Sequence, residues 1–487
     1  MELPTSQEPA APVQHDPELQ SVTRRGPSAW LAWLAIIAAV AFAVLPHVTL
    51  HDDDKSEPSI ALLEMQAKYL VGASTLFSMG NATNETEVTN IFGRGPVQQR
   101  LLGAVLLGEL IGPSAAANSL TALQSKIDAD ANFASAADQK AVLLLQKIQQ
   151  SRMEDRQVMS ELTEDEQAES HELLPARLGW VGELALHPRE TVDGAGREHL
   201  LSQARRVLVV IFSIFGIGIL GVGCGMVLQL AWWICLGTGR IHSGIGQIHG
   251  NHVIYAETFA VWLTLYVALS YLSASWIFAK LGPIRMLLIQ AGSLAALAWP
   301  VWRGIKWGDV RTDVGLRLGR QGWTAPFLGI GTYVFALPAL GVAVGITFLL
   351  MLAARALTGS EDAGAAPAHP IVEHILRGSW MIRLQLLLVA VFAAVPEEIM
   401  FRGVLYRHLR EAGQRFGYVT SVIFAALVSS FIFAAIHPQG LFGIPVLMTL
   451  AIVFALAREW RGSLAPSMIA HALVNAGTST ILFLIAS

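Results

Sequence analysis

The chain has 487 residues, of which 53% are hydrophobic and only 14% are charged, and its mean hydropathy is +0.50. Soluble proteins of this length carry roughly 25% charged residues, and several apolar runs here exceed the roughly 18 residues that mark a membrane-spanning helix. The net charge is −4. These values exclude an ordinary soluble domain and predict an all-α fold, a polytopic bundle of transmembrane helices. We expect the lipid bilayer as a partner and no nucleic acid.

Nine apolar runs are predicted to span the membrane. They cover residues 29–48, 207–236, 254–278, 285–302, 324–353, 384–406, 418–437, 441–457 and 463–486. The two cysteines, Cys224 and Cys235, lie in the second run. Eleven helical residues separate them by about 16 Å, which is beyond disulfide reach. In the same run, Gly221-x-x-x-Gly225 favours close helix packing.

The distribution of basic residues predicts the orientation. Arg24 and Arg25 precede the first run and Asp52 follows it, so the N-terminus is expected in the cytoplasm. Alternation then places 13 basic residues in the N-terminal tail and inner loops against five in the short outer loops. We therefore predict an integral protein of the plasma (inner) membrane, with residues 1–28 as a cytoplasmic tail, 29–50 as a retained anchor and the C-terminus outside.

Residues 51–206 form the longest polar segment, with 23 acidic and 14 basic residues. Stretches such as 140–159 and Ala-rich pieces predict helices rather than strands. We expect an acidic, helical, extracytoplasmic insertion after the first span. It has no catalytic constellation, and whether it binds a protein partner, gates the remainder or decorates it stays open. Residues 207–380 are assigned to the second to fifth spans and their loops.

The sixth run carries charge that a membrane segment tolerates poorly. A carboxylate at mid-membrane costs at least about 2.5–3.5 kcal/mol on insertion scales, so such groups are candidates for function. Glu398 and Arg402 are four residues apart on a helix and are predicted to pair, whereas Glu397 points about 100° away without a local partner. The alternative is structural pairing at the inner interface beside Arg407 and Arg410.

Two later runs carry histidines. His437 ends the seventh, and His471 with Asn475 lies on one face of the ninth. A glutamate and a histidine can activate water, while a second histidine and an amide can stabilise an oxyanion. Glu397, His437 and His471 can instead bind a divalent metal such as zinc, although the chain lacks an H-E-x-x-H motif. Neither serine nor cysteine occurs in a recognisable nucleophile setting.

Three motifs, "EEIMFRG" (397–403), "FAAIH" (433–437) and "HALVN" (471–475), resemble in order those of the CAAX prenyl protease and bacteriocin-processing (CPBP, Abi) family of intramembrane proteases. The resemblance implies an endopeptidase with its catalytic core in residues 381–487, acting on a peptide or membrane-protein substrate. It implies Glu397 as the water-activating base and His437 as its partner. Its remaining assignments are Glu398 and Arg402 as supports, and His471 with Asn475 at the oxyanion. Both a metal-dependent and a metal-free mechanism are argued for this family.

Two rival functions stay open. The intramembrane Glu, His and Arg could relay protons in a transporter, although transporters of this size usually show an internal repeat and none is detected here. A non-catalytic family member could act as a membrane scaffold or immunity protein.

Two further expectations concern placement. The loop with His242, His249, His252 and Glu257 is expected to be a flexible loop rather than a metal site, because its candidate ligands are irregularly spaced among glycines. Nine spans place Glu397 in the inner half of its helix and His437 near the outer end of its own. Their convergence therefore requires shifted helix limits, or tilted or broken helices at Pro396 and Pro438.

Overall fold

In the computed structural model the described residues are 29–49, 60–77, 81–93, 95–130, 133–154, 161–189, 194–273, 280–317, 322–359, 375 and 378–486. All their regular elements are helices, and none of these ranges contains a strand. The predicted all-α fold is thus confirmed. Residues 1–28, predicted as a cytoplasmic tail, lie outside the described residues.

Eight helices among the described residues are long and apolar enough to cross a membrane, and they match the second to ninth predicted spans in order. They are Gly194–Gly237, Val253–Ser273, Ile284–Trp302, Gly322–Thr358, Trp380–Ala412, Tyr418–Ala435, Gly440–Arg461 and Ala465–Leu484. The first predicted span is the helix Ala29–Thr49, whose apolar stretch Ala29–Leu45 is shorter. Pro46 and His47 end that stretch.

The described residues fall into two units. One lies within Met1–Thr49, Val222–Pro367 and Leu388–Asn475, and the other within Leu50–Gly221, Ala368–Leu387 and Ala476–Ser487. The helices, numbered in chain order up to the first long span, are α1 (Ala29–Thr49), α2 (Ile60–Phe77), α3 (Asn81–Phe92), α4 (Val97–Leu110), α5 (Pro113–Ala129), α6 (Ala136–Met153), α7 (Glu164–Leu178), α8 (Trp180–Leu186) and α9 (Gly194–Gly237).

Helices α2 to α8 confirm that the described part of residues 51–206 is helical, as predicted. Capping boxes begin two of them, Ser135 with Asp138 at α6 and Thr163 with Glu166 at α7. Their apolar faces form one buried core around residues such as Leu101. This packing, rather than intrinsic helix propensity, supplies most of the stability of such helices.

The helices from residue 253 onward are α10 (Val253–Ser273), α11 (Ile284–Trp302), α12 (Trp307–Val314), α13 (Gly322–Thr358), α14 (Trp380–Glu398), α15 (Tyr406–Ala412), α16 (Tyr418–Ala435), α17 (Gly440–Arg461) and α18 (Ala465–Ala486). Gly225 of α9 packs against α13, since a Cβ there would lie 2.4 Å from the Val334 carbonyl oxygen. That contact agrees with the close packing expected at this glycine. Cys224 and Cys235 are free thiols, as their separation predicts.

The expected difference in depth between Glu397 and His437 has a physical resolution. The predicted span ended at residue 406, but the helical segment continues to Ala412. The chain then turns at 413–417, and α16 packs back against α15. Glu397 lies about 22 Å before this turn and His437 about 28 Å after it, at 1.5 Å per helical residue. The two side chains therefore lie at similar heights along an antiparallel pair.

The loop before α10 does not gather its candidate ligands. Three of the four contact separate groups: His249 Nδ1 lies 2.7 Å from Asp313 Oδ1, His252 Nδ1 lies 3.1 Å from His408 Nδ1, and Glu257 Oε2 lies 3.2 Å from Arg303 Nη1. These contacts connect the loop and the start of α10 to three other segments. The flexibility of the loop stays a prediction.

Candidate active site

The first motif lies where an α-helix changes into a π-helical turn. Helix α14 ends at Glu398, and residues Ile399–Leu405 form the π turn that leads into α15. Pro396 lies in the last turn of α14 and has no N–H to donate to the preceding turn. Such π turns are frequent at functional sites. Gly403 is the last residue of the motif. A Cβ at this position would lie 2.4 Å from a Val314 methyl group, so the close approach of the two segments requires glycine.

Glu398 and Arg402 form the ion pair predicted from their spacing. Arg402 Nη1 lies 2.8 Å from Glu398 Oε1, and both side chains are almost completely buried. The guanidinium also packs over the rings of Phe433, at 4.5 Å, and Phe454, at 5.4 Å. Cation–π contacts of this kind are strongest when the cation is desolvated. The alternative of a solvated pair at the interface is therefore wrong for these two residues.

Glu397 is more exposed than its neighbour and faces two histidines. Its Oε2 lies 3.6 Å from His471 Nε2 and 3.9 Å from His437 Nε2, and 23% of its side-chain surface is exposed. Both distances exceed the length of a hydrogen bond, so Glu397 Oε2 makes no direct hydrogen bond to either Nε2 atom in this structure. Three helical segments thus bring a carboxylate and two imidazoles to one point.

The contacts that the Nδ1 atoms of the two histidines make, on the side away from Glu397, determine which ring nitrogen carries the proton. His437 Nδ1 lies 2.5 Å from the Phe433 carbonyl oxygen, which only accepts hydrogen bonds. His471 Nδ1 lies 3.0 Å from Glu398 Oε1, an acceptor paired with Arg402. Each Nδ1 therefore donates, and in the neutral ring each Nε2 presents a lone pair towards Glu397.

Asn475 lies one turn beyond His471 on α18, as the spacing predicts. Its Nδ2 donates a hydrogen bond of 2.8 Å to the carbonyl oxygen of Ala390 on α14. Ala390 lies two turns before Glu397 on the same helix. The amide therefore links the helix of His471 to the helix of Glu397.

Two aromatic residues of the site could not be found from the motifs. Phe454 of α17 stacks on His471 with 5.3 Å between ring centroids and also covers Arg402. Tyr266 of α10 is close enough to Glu397 for the two groups to interact electrostatically. Neither residue carries a sequence signal, because an aromatic residue in an apolar helix is ordinary core.

The donor types of Glu397, His437 and His471 are those that zinc prefers, and their outer contacts resemble the hydrogen bonds that orient zinc ligands. However, the described residues contain no group of three or more His, Cys, Asp and Glu side chains arranged to hold a metal ion. We derive no step through a metal.

Comparisons with known proteins agree with the motifs. Residues 379–477 match the family model described as type II CAAX prenyl endopeptidase Rce1-like. A curated relative, the membrane-embedded CAAX protease MroQ of Staphylococcus aureus (strain USA300), is 28% identical over 145 residues. That alignment covers 29% of this chain and 56% of the relative, so the chain matches little more than half of the relative's length. No solved structure matches the chain significantly.

The matched segment contains all three motifs and all but the C-terminal part of the helices that carry them. Together with the eight apolar helices of spanning length among the described residues, this match indicates an integral membrane protein. The resemblance noted from the sequence is confirmed: through residues 379–477, the chain is related to the CAAX prenyl endopeptidases.

Proposed function

We propose that this chain is an intramembrane endopeptidase that hydrolyses a peptide bond of a membrane-associated peptide or protein substrate. The observation that carries the proposal is the convergence of Glu397 Oε2 with the Nε2 atoms of His437 and His471, at 3.9 and 3.6 Å. A carboxylate beside the neutral imidazole of His437 can hold a water and remove its proton, while His471 can carry a second proton for the oxyanion.

In the proposed reaction, Glu397 and His437 hold the water, and Glu397 takes one of its protons. The resulting hydroxide adds to the scissile carbonyl carbon and forms a tetrahedral oxyanion. The proton on Glu397 then passes to the leaving amine as the C–N bond breaks. The products are an amine, which receives one proton of the water, and a carboxylic acid, which keeps the other until it ionises in solution.

His471 is proposed to stabilise the oxyanion, and its contact with Glu398 determines the protonation state in which it can do so. Because Nδ1 donates to Glu398, Nε2 can donate to an oxyanion only when the ring carries a second proton. The Glu398 carboxylate supports that cationic ring. Asn475 acts through the Ala390 carbonyl as a positioning residue in this proposal, rather than directly at the oxyanion.

Metal dependence is an alternative form of the same function. If zinc binds, Glu397, His437 and His471 would hold it, and it would supply a more acidic water. The substrate, a protein partner of residues 51–206 and an extracytoplasmic location of that segment likewise stay proposals. So do the plasma-membrane location and the cytoplasmic N-terminus.

The test compares the wild-type chain with Glu397→Gln and His437→Ala in cells that express each form. Mass spectrometry of peptide termini in membrane fractions would identify products that depend on the wild-type chain. Candidate cleavage sites would then be rebuilt as quenched fluorescent peptides for the purified protein. We expect both substitutions to lower cleavage at least about 10²-fold, the usual contribution of a general base.

Glu411→Gln is the matched control, since it removes a carboxylate from α15, at a distance from the motif residues. Wild-type processing by both the Glu397 and His437 variants would refute the protease proposal. Proton-coupled flux that is lost in the same variants would favour the transporter instead.

A further inference from the structure

A second polar cavity lies among the helix ends of the first unit. Its volume is about 470 Å³, and its lining includes none of the six candidate catalytic residues. Four arginines line it together with one acid: Arg317, Arg407, Arg458, Arg461 and Asp313. The lining charge is therefore strongly positive.

Two of these arginines are buried and incompletely paired. Arg407 is 2% exposed and Arg458 is 1% exposed. Arg407 Nη2 donates to the Gly246 carbonyl oxygen at 2.7 Å, and Arg458 Nη2 donates to the Asp313 carbonyl oxygen at 2.9 Å. Arg407 Nε and Arg458 Nε and Nη1 are buried and have no hydrogen-bond partner among the described residues. Buried charges are normally paired, so two buried guanidinium groups in the lining of one cavity favour an anion there.

The nearby acid does not supply that anion. Asp313 Oδ1 is 2.7 Å from His249 Nδ1, and its Oδ2 accepts from the Tyr255 hydroxyl at 2.8 Å and from the His249 backbone N–H at 2.9 Å. Its carboxylate is therefore used on the loop side, and only its backbone carbonyl contacts Arg458.

Glycines shape the walls around the arginines. Gly315 has φ +87°, and a Cβ there would lie 2.5 Å from the Arg458 guanidinium carbon. Only a residue without a side chain lets Arg458 lie against this backbone. Gly244 approaches Gly462 equally closely, which holds the 244–247 wall of the cavity against the end of α17. The site is thus constructed by the fold rather than by mobile surface side chains.

Exposed tryptophans indicate what the cavity faces. Trp323 and Trp460 each adjoin a lining residue, Thr324 and Arg461, and they are 76% and 39% exposed. Exposed tryptophans at the ends of apolar helices are typical of the membrane–water interface. The four arginines also belong to the loops that the charge pattern predicts on the cytoplasmic side, where anionic lipids are enriched.

We propose that this cavity binds the phosphate group of an anionic phospholipid. Guanidinium groups bind phosphate oxygens with short, charge-assisted hydrogen bonds, and a cavity lined by four guanidinium groups and one carboxylate with its own partners suits this ligand. The volume leaves room for the headgroup alcohol as well. The proposal is independent of proteolysis, because it concerns other residues and a different ligand.

The experiment uses the full-length chain purified in mild detergent with equimolar phosphatidylglycerol and phosphatidylcholine. Native mass spectrometry counts the lipids that remain bound. We expect wild-type protein to retain phosphatidylglycerol preferentially, Arg407→Gln to weaken that binding at least about tenfold, and Arg461→Gln to weaken it several-fold. Gly315→Ala should also weaken it, since the added methyl group displaces Arg458.

Arg415→Gln is the control, because it makes the same charge change at an exposed arginine outside the cavity. If Arg407→Gln unfolds, Arg461→Gln still decides, because Arg461 is only partly buried. Equal retention of phosphatidylglycerol by the wild type and Arg461→Gln would overturn the proposal. Inorganic phosphate is the second probe: if it raises thermal stability while phosphatidylglycerol shows no preference, the ligand is soluble phosphate and the lipid assignment fails.

Discussion

His471 Nδ1 and Arg402 Nη1 approach the same oxygen of Glu398, Oε1, at 3.0 and 2.8 Å. One buried carboxylate oxygen therefore joins the cation of its own helical segment to the imidazole of α18. His471 in turn presents its other nitrogen to Glu397. The two adjacent glutamates thus have different surroundings: Glu398 holds the histidine, and Glu397 faces the Nε2 atoms of His437 and His471.

We expect substitution of either Glu398 or Arg402 to destabilise the protein severely. Each single change, Glu398→Gln or Arg402→Met, leaves a buried charge without its partner, a loss of about 3–5 kcal/mol. The double variant should lose clearly less than the two single losses combined, because no unpaired charge remains. Unfolding in detergent, followed by tryptophan fluorescence, measures the stability of the wild type, the two single variants and the double variant. Additive losses would show that the two charges do not interact.

Asn475 offers a way to separate positioning from direct catalysis. Asn475→Ala removes the hydrogen bond to the Ala390 carbonyl, and we expect a stability loss of about 1 kcal/mol. Cleavage should fall in parallel with the lowered unfolding temperature of the variant, and by less than in Glu397→Gln. Asn475→Gln is the matching control, since it keeps the amide on a longer side chain. A fall of about 10²–10³-fold in kcat without loss of stability would instead place the amide at the oxyanion.

The fold and the main partners at the site were accessible from the sequence for identifiable reasons. Apolar runs define membrane helices, and i,i+4 spacing is local geometry, so the Glu398–Arg402 pair could be predicted. The contact of His471 with Glu398 crosses 73 residues of chain and depends on helix packing. The π turn and the continuation of the helix to Ala412 also escaped prediction. Hydropathy falls at the arginines of α15, although their burial by neighbouring helices keeps the segment helical.

A pH test is available in the helical segment that precedes the long spans. Lys147 Nζ donates to both carboxylate oxygens of Glu166, at 2.6 and 2.8 Å, and with the Thr163 backbone N–H it holds the pKa of Glu166 below its usual value. A lowered pKa in the folded state adds stability above the ordinary pKa, which is lost as pH falls through the folded-state pKa.

Glu166→Gln should therefore loosen α7 modestly at pH 7, and the difference from wild type should shrink as the pH falls through the folded-state pKa. The side chain is partly exposed, so the effect is small. Hydrogen exchange of α7, compared between variants at the same pH, measures it. Glu172→Gln, an exposed carboxylate on the same helix, is the control. A difference from wild type that does not shrink on acidification would show that the charge is not its cause.

Metal removal distinguishes the two proposed forms of the hydrolysis. We expect the purified, active chain to contain well under one zinc per molecule and to keep its activity after dialysis against a chelator. The expectation rests on the described part of the chain, in which no group of three or more His, Cys, Asp and Glu side chains is arranged to hold a metal ion. Elemental analysis of wild type and His437→Ala, with cleavage measured before and after chelation, supplies both readouts. One zinc per active molecule, absent from His437→Ala and required for cleavage, would assign the same three residues to a metal and replace the metal-free mechanism.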